Sequence, residues 1–511
     1  MTVFRRLRVG TMPQFQIVDK ARSRSLQVAL LALVVLLGIL LRLHYYAQGY
    51  SFFLDECALA VNVAQRSFAG LSQTLDYDQA APLAFLWTAK TLISFYPQSE
   101  AALRLISIAA SAFGLCLFAY LAWKFIQGYA AIAATTLYAM NYLAIFQSTQ
   151  FKQYSVELLS SSLLIWAATR LSGKSATVRQ CLAPLLVGLL LPWFAFTSIF
   201  ALGAVAAALL LEQRPWSFGM WKTPLGLTLL LWALAFPLAF QFSYSPGMAN
   251  PALHAMWTKD YLPWTSAQDM GSWLMAKLGE LGSLSLHSRF WIAGSLLLLI
   301  GCGRALRSPS LLPRLSCLAV AACLAAAVLQ RYPFSGRFLL FLLPFTCILL
   351  VEGYRGISGT LSKGGQVLLR VAASATLAWT IVSSSKQFTV SKGFVDEPRL
   401  ALEFLRQNLK ADDALHATRL ATPCVMYYQL FLGTPLSRWQ LGLNKANMPA
   451  TRRLSPGRHW LIEMRTPWEP VGESQFVHEH FASQGSALLR KDVQWTSATL
   501  FQMGPVMPEK P

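Results

Sequence analysis

The chain has 511 residues, of which 55% are hydrophobic and only 13% are charged, and its formal net charge at pH 7 is +20. Apolar runs of membrane-spanning length recur along most of it, which excludes an ordinary soluble domain and predicts a polytopic α-helical membrane protein surrounded by lipids. The basic residues lie mostly in short loops between those runs and in the two termini. They therefore indicate membrane topology and not a nucleic-acid partner.

The first part of the chain sets the predicted orientation. Residues 1–25 are rich in arginine and lysine, so we expect this N-terminus to stay in the cytoplasm. The first span then leads into an outer loop that covers about residues 46–102. Reading the apolar stretch broken at Pro192 as two short spans keeps the basic loops on both sides of it inside. The transmembrane region, residues 26–385, then contains about 11 helices, with the C-terminus outside.

The tail from about residue 386 has a different pattern. The segments EPRLALEFLRQNL, CVMYYQLFL and QFVHEHFA have the spacing of helices, and DALHAT, HWLIEM and ATLFQM have the pattern of short strands. Helices that alternate with strands predict a small α/β domain over residues 386–511, on the outer face of the membrane.

Two adjacent acids, Asp55 and Glu56, follow the first span and precede an apolar helical repeat. One interpretation is local: Asp55 caps the helix, and Glu56 sits in its first turn, where the helix dipole favours negative charge. The other interpretation is catalytic, with Asp55 as a general base. A capping aspartate can also be a base, so both interpretations stay open.

A second acidic motif follows in the same loop. Asp76 and Asp78 flank Tyr77, and this spacing can chelate a divalent cation through carboxylate oxygens, which makes such an ion a candidate cofactor. The alternative is a solvated turn before Pro82. The motif also makes Asp78 a candidate second acid of the site.

Three basic residues are candidates for binding a phosphate at the outer membrane surface. Lys152 lies between apolar spans, next to Gln153 and Tyr154; the alternative is a lysine that merely extends its charge to the interface. Arg331 and Arg337 bracket a short outer loop. Outer loops are normally poor in arginine, so two in so short a loop favour an anionic ligand.

Glu100 and Arg104 lie one helical turn apart at the outer end of a predicted span, where they can form a structural ion pair or a substrate clamp. All of these candidates fall on the predicted outer face. Nucleotides are not available there, so an activated donor would have to arrive in the membrane as a lipid-linked phosphate.

The sequence resembles the GT-C superfamily of integral-membrane glycosyltransferases, which includes protein O-mannosyltransferases, the aminoarabinose transferase of lipid A and bacterial glycosyltransferase-39-type proteins. The resemblance covers roughly the first 350 residues. Its most specific parts are the Asp-Glu pair after the first span, the later acid-x-x-x-Pro turn and the E-x-x-x-R-L motif. The segments that carry it are LDECALAVNVAQRSF, LDYDQAAPLAFLWTAK, SEAALRLIS, FKQYSVELL and YPFSGRFLLFLLP.

The resemblance implies a polyprenyl-phosphate-linked sugar donor, an inverting transfer to a glycan, lipid or protein hydroxyl, and a bacterial inner-membrane location. The family's catalytic aspartate falls on Asp55, and its second acidic position falls near Asp78. Some members have Glu-Lys-Pro-Pro where this chain has DQAAP at 78–82. The lysine that would help hold the donor phosphate is missing there, so Lys152, Arg331 or Arg337 must take its role, or the donor differs.

Two other functions remain in competition with the glycosyltransferase. A transporter or flippase of an anionic lipid could use the same cations, but transporters place ionisable groups at mid-membrane and often show internal repeats. The predicted span interiors are nearly free of charge, and no repeat is visible. The third possibility is a catalytically inactive GT-C-like assembly protein, against which the intact Asp55 and Glu56 argue.

Overall fold

A computed structural model describes nine segments of the chain. The arginines at positions 5, 6 and 8, which contribute to the predicted cytoplasmic charge, lie outside these segments, as do residues 391–396 near the start of the predicted C-terminal domain and residues 504–511 at the end of the chain. The described segments are residues 14–96, 99–173, 176–213, 218–286, 288–390, 397–432, 435–448, 453–466 and 472–503.

The part of the structure before residue 391 is helical, as the apolar runs predict. Two of its helices, α2 and α3, belong to the predicted first outer loop, and two short ones, α11 and α12, follow the tenth helix. The helices are α1 Gln14–Ala47, α2 Leu54–Gln65, α3 Leu83–Phe95, α4 Glu100–Leu121, α5 Gly128–Ala139, α6 Tyr142–Ser148, α7 Tyr154–Leu171, α8 Val178–Phe194, α9 Ser198–Glu212, α10 Pro224–Ala239, α11 Ser245–Met248, α12 Pro251–Met256, α13 Ala267–Ser285, α14 Trp291–Arg307, α15 Leu311–Val328, α16 Leu343–Thr360 and α17 Lys363–Val390.

Seven helical stretches within the described segments are long and apolar enough to cross a membrane, and an eighth results if α5 and α6, bent by 52°, are one span. The predicted count of about 11 helices is not confirmed. The stretch predicted to break at Pro192 explains part of the difference. Pro192 lies inside α8, the break follows Phe194, and α8 and α9 have 17 and 15 residues, below the ~20 that a span requires. Helix α7 carries Glu157 and three consecutive serines, which lower its apolar character.

Burial separates the centre of the helical bundle from its periphery. In the candidate span Gly336–Thr360, 78% of the most apolar window is buried, whereas the corresponding share is 11% in Ser23–Ala47 and in Lys363–Ser384. Exposed apolar faces of this length are stable when they contact lipid. Helix α7 is buried along most of its length against α4, α8 and α9, and the loop that precedes it carries Lys152 and Gln153.

The C-terminal part is the predicted small α/β domain. Its helices are α18 Pro398–Asn408, α19 Thr422–Leu432 and α20 Glu473–Gln484, and its strands are β1 Ala414–Thr418, β2 Trp439–Leu443, β3 Gly457–Met464, β4 Gly485–Val493 and β5 Thr496–Met503. The strand order is β2-β1-β3-β5-β4, with β1 parallel to β2 and β3, and β5 antiparallel to β3 and β4. The three strands and three helices expected from the sequence are confirmed; β2 and β4 are additional.

The C-terminal domain packs directly on the segment between α1 and α4, which is the predicted first outer loop. The Tyr428 hydroxyl on α19 accepts a 2.7 Å hydrogen bond from the backbone N–H of Phe52, just before α2, and the rings of Phe52 and Tyr427 lie 5.1 Å apart. Residues of α2 and α19 share one apolar cluster. This contact places the loop after β1 beside the acids of the first outer loop.

Candidate active site

A cavity of about 1330 Å³ lies between the membrane helices and the C-terminal domain. It brings together seven residues that the sequence singles out from four separate stretches of chain: Asp55, Asp78, Lys152, Gln153, Tyr154, Arg331 and Arg337. The other four predicted site residues, all within the described segments, are absent from its wall: Glu56, Asp76, Glu100 and Arg104.

Asp55 and Arg337 form the charged centre of the cavity. Asp55 lies in the first turn of α2, and its Oδ2 is 2.9 Å from Nη2 of Arg337; 27% of the Asp55 side chain is exposed. Burial alone would raise the pKa of the Asp55 carboxyl. The charges of Arg337 and Lys152 and the hydrogen bond from Arg337 outweigh burial and hold that pKa below its usual value. Asp55 is therefore an ionised acceptor at neutral pH.

Aromatic rings fix the guanidinium of Arg337. Its central carbon lies 5.4 Å from the ring centre of Tyr154, 5.9 Å from that of Trp257 and 5.8 Å from that of Phe338. Such contacts favour a delocalised cation and limit the orientations that it can take. The arginine thus presents its remaining N–H groups to the cavity in a defined direction.

Glu56, the second predicted catalytic residue, does not line the cavity with Asp55. It is 1% exposed, forms a 2.9 Å ion pair with Arg104, and accepts a 2.7 Å hydrogen bond from the backbone N–H of Phe151. It also accepts from the backbone N–H of Phe53 at the start of α2. Successive residues of a helix point about 100° apart, so Asp55 and Glu56 necessarily face different surroundings. The contacts of Glu56 link the start of α2 to Arg104 and to the loop before α7.

The predicted pairing of Glu100 with Arg104 is also wrong. Arg104 forms its ion pair with Glu56. Glu100 instead forms a 3.0 Å ion pair with Arg399 and accepts a hydrogen bond from the Tyr428 hydroxyl. Both partners of Glu100 belong to the C-terminal domain. Glu100 therefore docks that domain, and Arg104 braces the loop before α2.

Lys152 lies in the cavity wall with its charge largely shielded from water. Its Nζ donates a 2.6 Å hydrogen bond to Oε1 of Gln79. Burial lowers the pKa of the Lys152 ammonium to about 8, although the nearby Asp55 carboxylate opposes the shift. An ammonium buried in this way gains strongly from an anionic ligand.

Gln153, also in the wall, has a side-chain acceptor that no described residue satisfies. Its side-chain oxygen Oε1 is buried and has no hydrogen-bond partner within the described segments. A buried acceptor without a partner costs about 1–3 kcal/mol, so such groups usually meet a ligand or water. A hydroxyl donor entering the cavity would satisfy this oxygen.

The two acids of the Asp76-Tyr77-Asp78 segment, a DxD motif, do not point to a common site. Asp78 accepts a 3.2 Å hydrogen bond from Asn250 and lies 3.9 Å from Arg419, whereas Asp76 forms a 2.8 Å ion pair with Arg66 at the surface. No group of three or more His, Cys, Asp or Glu side chains suited to a metal ion occurs in the described segments. In this structure Asp76 and Asp78 thus have different partners, and their binding of a divalent ion stays a prediction.

Backbone strain is concentrated in the loops of the cavity. Tyr77 and Asp78 have φ values of 60° and 52°, and Gln330, beside Arg331, has a φ of 55°. Residues other than glycine rarely adopt this left-handed region, and such strain is retained where the surrounding structure fixes it, often at functional sites. Arg331 is exposed on this second strained loop and lines the cavity.

The cavity also contains residues that sequence reasoning missed. Gln79 holds Lys152, Asn250 holds Asp78, Trp257 contacts Arg337, and Arg419 enters from the C-terminal domain. The Asn250–Pro251 dipeptide is a helix-start signal, and Asn250 does cap α12. No local signal reveals a side-chain partner 172 residues away along the chain.

One part of the cavity wall is apolar. Phe240, Ala326 and Phe338, which belong to three different candidate spans, contribute to it. The rings of Phe200 and Tyr332, both in the wall, lie 5.0 Å apart. The cavity therefore combines a charged region with an apolar region built by membrane helices.

Comparison with solved structures identifies the fold. The chain resembles ArnT from Cupriavidus metallidurans bound to undecaprenyl phosphate, with a TM-score of 0.54 and 12% identity, over 92% of this chain and 97% of that chain. The apo state of the same protein gives a TM-score of 0.54 and 13% identity over the same shares. Archaeal oligosaccharyltransferase AglB from Archaeoglobus fulgidus gives 0.47 at 10% identity, over 96% of this chain and 75% of that chain.

No family model and no curated protein matches the sequence significantly. At these identities the ArnT matches show the fold alone, and the expected fold, a helical membrane domain followed by a small C-terminal α/β domain, is confirmed.

Proposed function

We propose that this protein is an inverting glycosyltransferase that moves a sugar from a polyprenyl-phosphate donor to a hydroxyl of a glycan, lipid or protein acceptor. The observation that carries the proposal is the Asp55–Arg337 pair, because it places an ionised carboxylate beside a cation in a cavity with an apolar wall. A reaction between a lipid-linked phosphate sugar and a hydroxyl requires these three features together.

The donor's phosphate would bind Lys152, Arg331 and Arg337, three cations in the cavity wall. Each is a charge-assisted hydrogen-bond donor, and a guanidinium offers five N–H groups, so Arg337 can hold Asp55 and a phosphate oxygen together. The polyprenyl chain would lie along the wall formed by Phe240, Ala326 and Phe338. The likeness to a protein solved with undecaprenyl phosphate bound supports this placement.

The transferred sugar would lie between these cations and Asp55. The unpartnered Oε1 of Gln153 is suited to accept a hydrogen bond from a sugar hydroxyl there. Because Gln153 adjoins Lys152 in the chain, a sugar bound to the phosphate would come within its reach.

Asp55 would act as the general base. As the acceptor oxygen attacks the anomeric carbon, its proton passes to the Asp55 carboxylate, and the bond from that carbon to the phosphate oxygen breaks. The bonding electron pair leaves with the polyprenyl phosphate, whose added negative charge Lys152, Arg331 and Arg337 stabilise. Attack from the side opposite the leaving group inverts the anomeric configuration.

The reaction would take place on the non-cytoplasmic face of a bacterial inner membrane. The basic N-terminus before the first candidate span supports this orientation, since basic segments favour the cytoplasm. The C-terminal domain shares the cavity with the first outer loop and therefore lies on the same face.

The test is a mass comparison of envelope glycolipids and glycans from cells with the gene, without it, and with an Asp55→Asn variant. We expect one product, heavier by one sugar residue, in wild-type cells only. Its presence at wild-type level in the Asp55→Asn cells, with equal protein amounts in the membrane, would contradict the proposal. Repeating wild-type transfer in membranes with and without EDTA tests whether a divalent ion takes part, which stays a prediction.

A further inference from the structure

The C-terminal domain forms part of the cavity at a characteristic place in its sheet. Four residues that follow β1 line the cavity, Arg419, Leu420, Thr422 and Pro423, as does Gly442 near the end of β2. Strands β1 and β2 are adjacent and parallel. The carboxyl ends of parallel strands are where open α/β sheets bind ligands, because the loops there diverge and leave a crevice.

Hydrogen bonds hold these strand ends in place. The Thr422 hydroxyl donates to the carbonyl of Thr418 at 3.0 Å and accepts from the backbone N–H of Gly442 at 2.9 Å. The backbone N–H of Arg419 donates to the carbonyl of Leu443 at 3.0 Å. The backbone of Arg419 is therefore fixed between the two strands while its side chain extends into the cavity.

Arg419 is the only basic side chain that the described part of this domain contributes to the cavity wall. In the described segments Arg419 forms an ion-pair contact with Asp78, at 3.9 Å, and the two side chains are 61% and 34% exposed. This distance is too long for a direct hydrogen bond, so the contact leaves the guanidinium able to bind an anion.

Docking of the domain does not require Arg419. The domain is already held by the Phe52–Tyr428 hydrogen bond, the Glu100–Arg399 ion pair and the apolar contact of α2 with α19. An exposed pair at the distance of Arg419 and Asp78 adds little to such an interface. A cation that contributes little to docking and points into the cavity is available for a ligand.

We infer that the C-terminal domain binds the acceptor, and that the acceptor carries a phosphate or carboxylate group that Arg419 recognises near the hydroxyl to be glycosylated. This inference rests on the proposed function, in which Lys152, Arg331 and Arg337 already serve the donor phosphate. A fourth cation, Arg419, which the C-terminal domain supplies, then binds the acceptor. The same site explains why the active cavity is closed by a separate domain.

The experiment uses purified full-length protein in nanodiscs, the polyprenyl-phosphate-sugar fraction of cells grown with labelled sugars as the donor, and the envelope extract of cells lacking the gene as the acceptor source. The extract is used untreated, treated with phosphatase, or methyl-esterified at its carboxylates. Wild-type protein should lose most product formation after one of the two treatments, which also identifies the anionic group. Arg419→Ala should use the untreated extract roughly tenfold less well, as the loss of one charge-assisted contact predicts, and should no longer respond to the treatment.

Arg490→Ala is the matched control, because Arg490 is an arginine of the same domain that pairs with Asp492 on the edge strand β4. It should behave as wild type. Wild-type product formation that survives both treatments would overturn the inference, as would an Arg419→Ala protein that uses the untreated extract normally. The absence of any transfer by wild-type protein would instead contradict the proposed function itself.

Discussion

Two carboxylate–arginine pairs begin from neighbouring residues of α2 and lie in opposite environments. Asp55 pairs with Arg337 at 2.9 Å inside a cavity, with 27% of its side chain exposed, while Glu56 pairs with Arg104 at 2.9 Å and is 1% exposed. The Glu56 carboxylate also accepts hydrogen bonds from the backbone N–H groups of Phe53 and Phe151. The Glu56–Arg104 pair, which is buried and hydrogen-bonded to other protein groups, thus supports the fold. The Asp55–Arg337 pair, which borders the cavity, is available for catalysis.

The largest effect should come from the open pair. Asp55→Asn keeps the shape of the side chain but removes the base, so transfer should fall by on the order of 10²- to 10⁴-fold. The melting temperature in detergent should change little, because the site is open to solvent. Both quantities are measured on the same preparation. Loss of folding together with loss of transfer would remove the contrast between the two pairs.

The Glu56–Arg104 pair should show the reverse, a large loss of stability. Glu56→Gln leaves the Arg104 charge buried without its counter-charge, and breaking a buried pair costs about 3–5 kcal/mol. The free energy of unfolding should therefore fall by roughly that amount. Any folded fraction should retain donor binding. A variant of wild-type stability that has lost transfer would make Glu56 catalytic after all.

The pH dependence should distinguish Lys152 from the arginines. With a pKa of about 8, this lysine is protonated at pH 7 and loses its charge as the pH rises through 8. Donor affinity should therefore weaken above about pH 8, and a Lys152→Arg protein, whose guanidinium stays charged, should show a flatter profile. Identical profiles for the two proteins would remove Lys152 from the phosphate site.

The lowered pKa of Lys152 should affect stability in the direction opposite to its effect on donor affinity as the pH rises. The folded-state pKa of Lys152 lies below the value of 10.5 for an unperturbed lysine, so between pH 8 and 10.5 the unfolded chain binds more protons at this group. This group alone therefore makes folding more favourable as the pH rises through that window. Thermal unfolding of wild type and Lys152→Arg over the window checks the sign.

The smallest effect should come from a third pair in the same loop. Asp76 binds Arg66 at 2.8 Å, but 63% of the Asp76 side chain is exposed. Exposed pairs contribute about 0–1 kcal/mol, so Asp76→Asn should change neither stability nor transfer measurably. A large loss of transfer, restored by added divalent ion, would revive the DxD motif as a metal site.

Much of the fold could be predicted because its signals are local. The apolar runs gave the membrane helices, and the alternating segments of the tail gave β1, β3 and β5. Strand β4 was missed because it lies at the edge of the sheet and is mostly exposed, with Arg490 and Lys491 in it, so its pattern is not that of a buried strand.

The site was predictable in its residue types but not in its pairing. Asp55 stands out in sequence as one of two adjacent acids directly after the first span, and Lys152 and Arg337 stand out because outer loops are normally poor in basic residues. The partner of Glu56 is 48 residues away, and Arg419 comes from another domain, so neither contact leaves a local pattern. Only the three-dimensional arrangement shows which of two adjacent acids faces the cavity.

The central claim is that the cations of the cavity bind a polyprenyl phosphate. Its most direct test is titration of undecaprenyl phosphate into the protein in nanodiscs, comparing wild type, Arg337→Lys and the double variant Lys152→Ala with Arg337→Ala. A lysine cannot reproduce the guanidinium fork, so Arg337→Lys should bind roughly tenfold more weakly, and the double variant should lose measurable binding. If both variants bound undecaprenyl phosphate as tightly as wild type, the account would be contradicted.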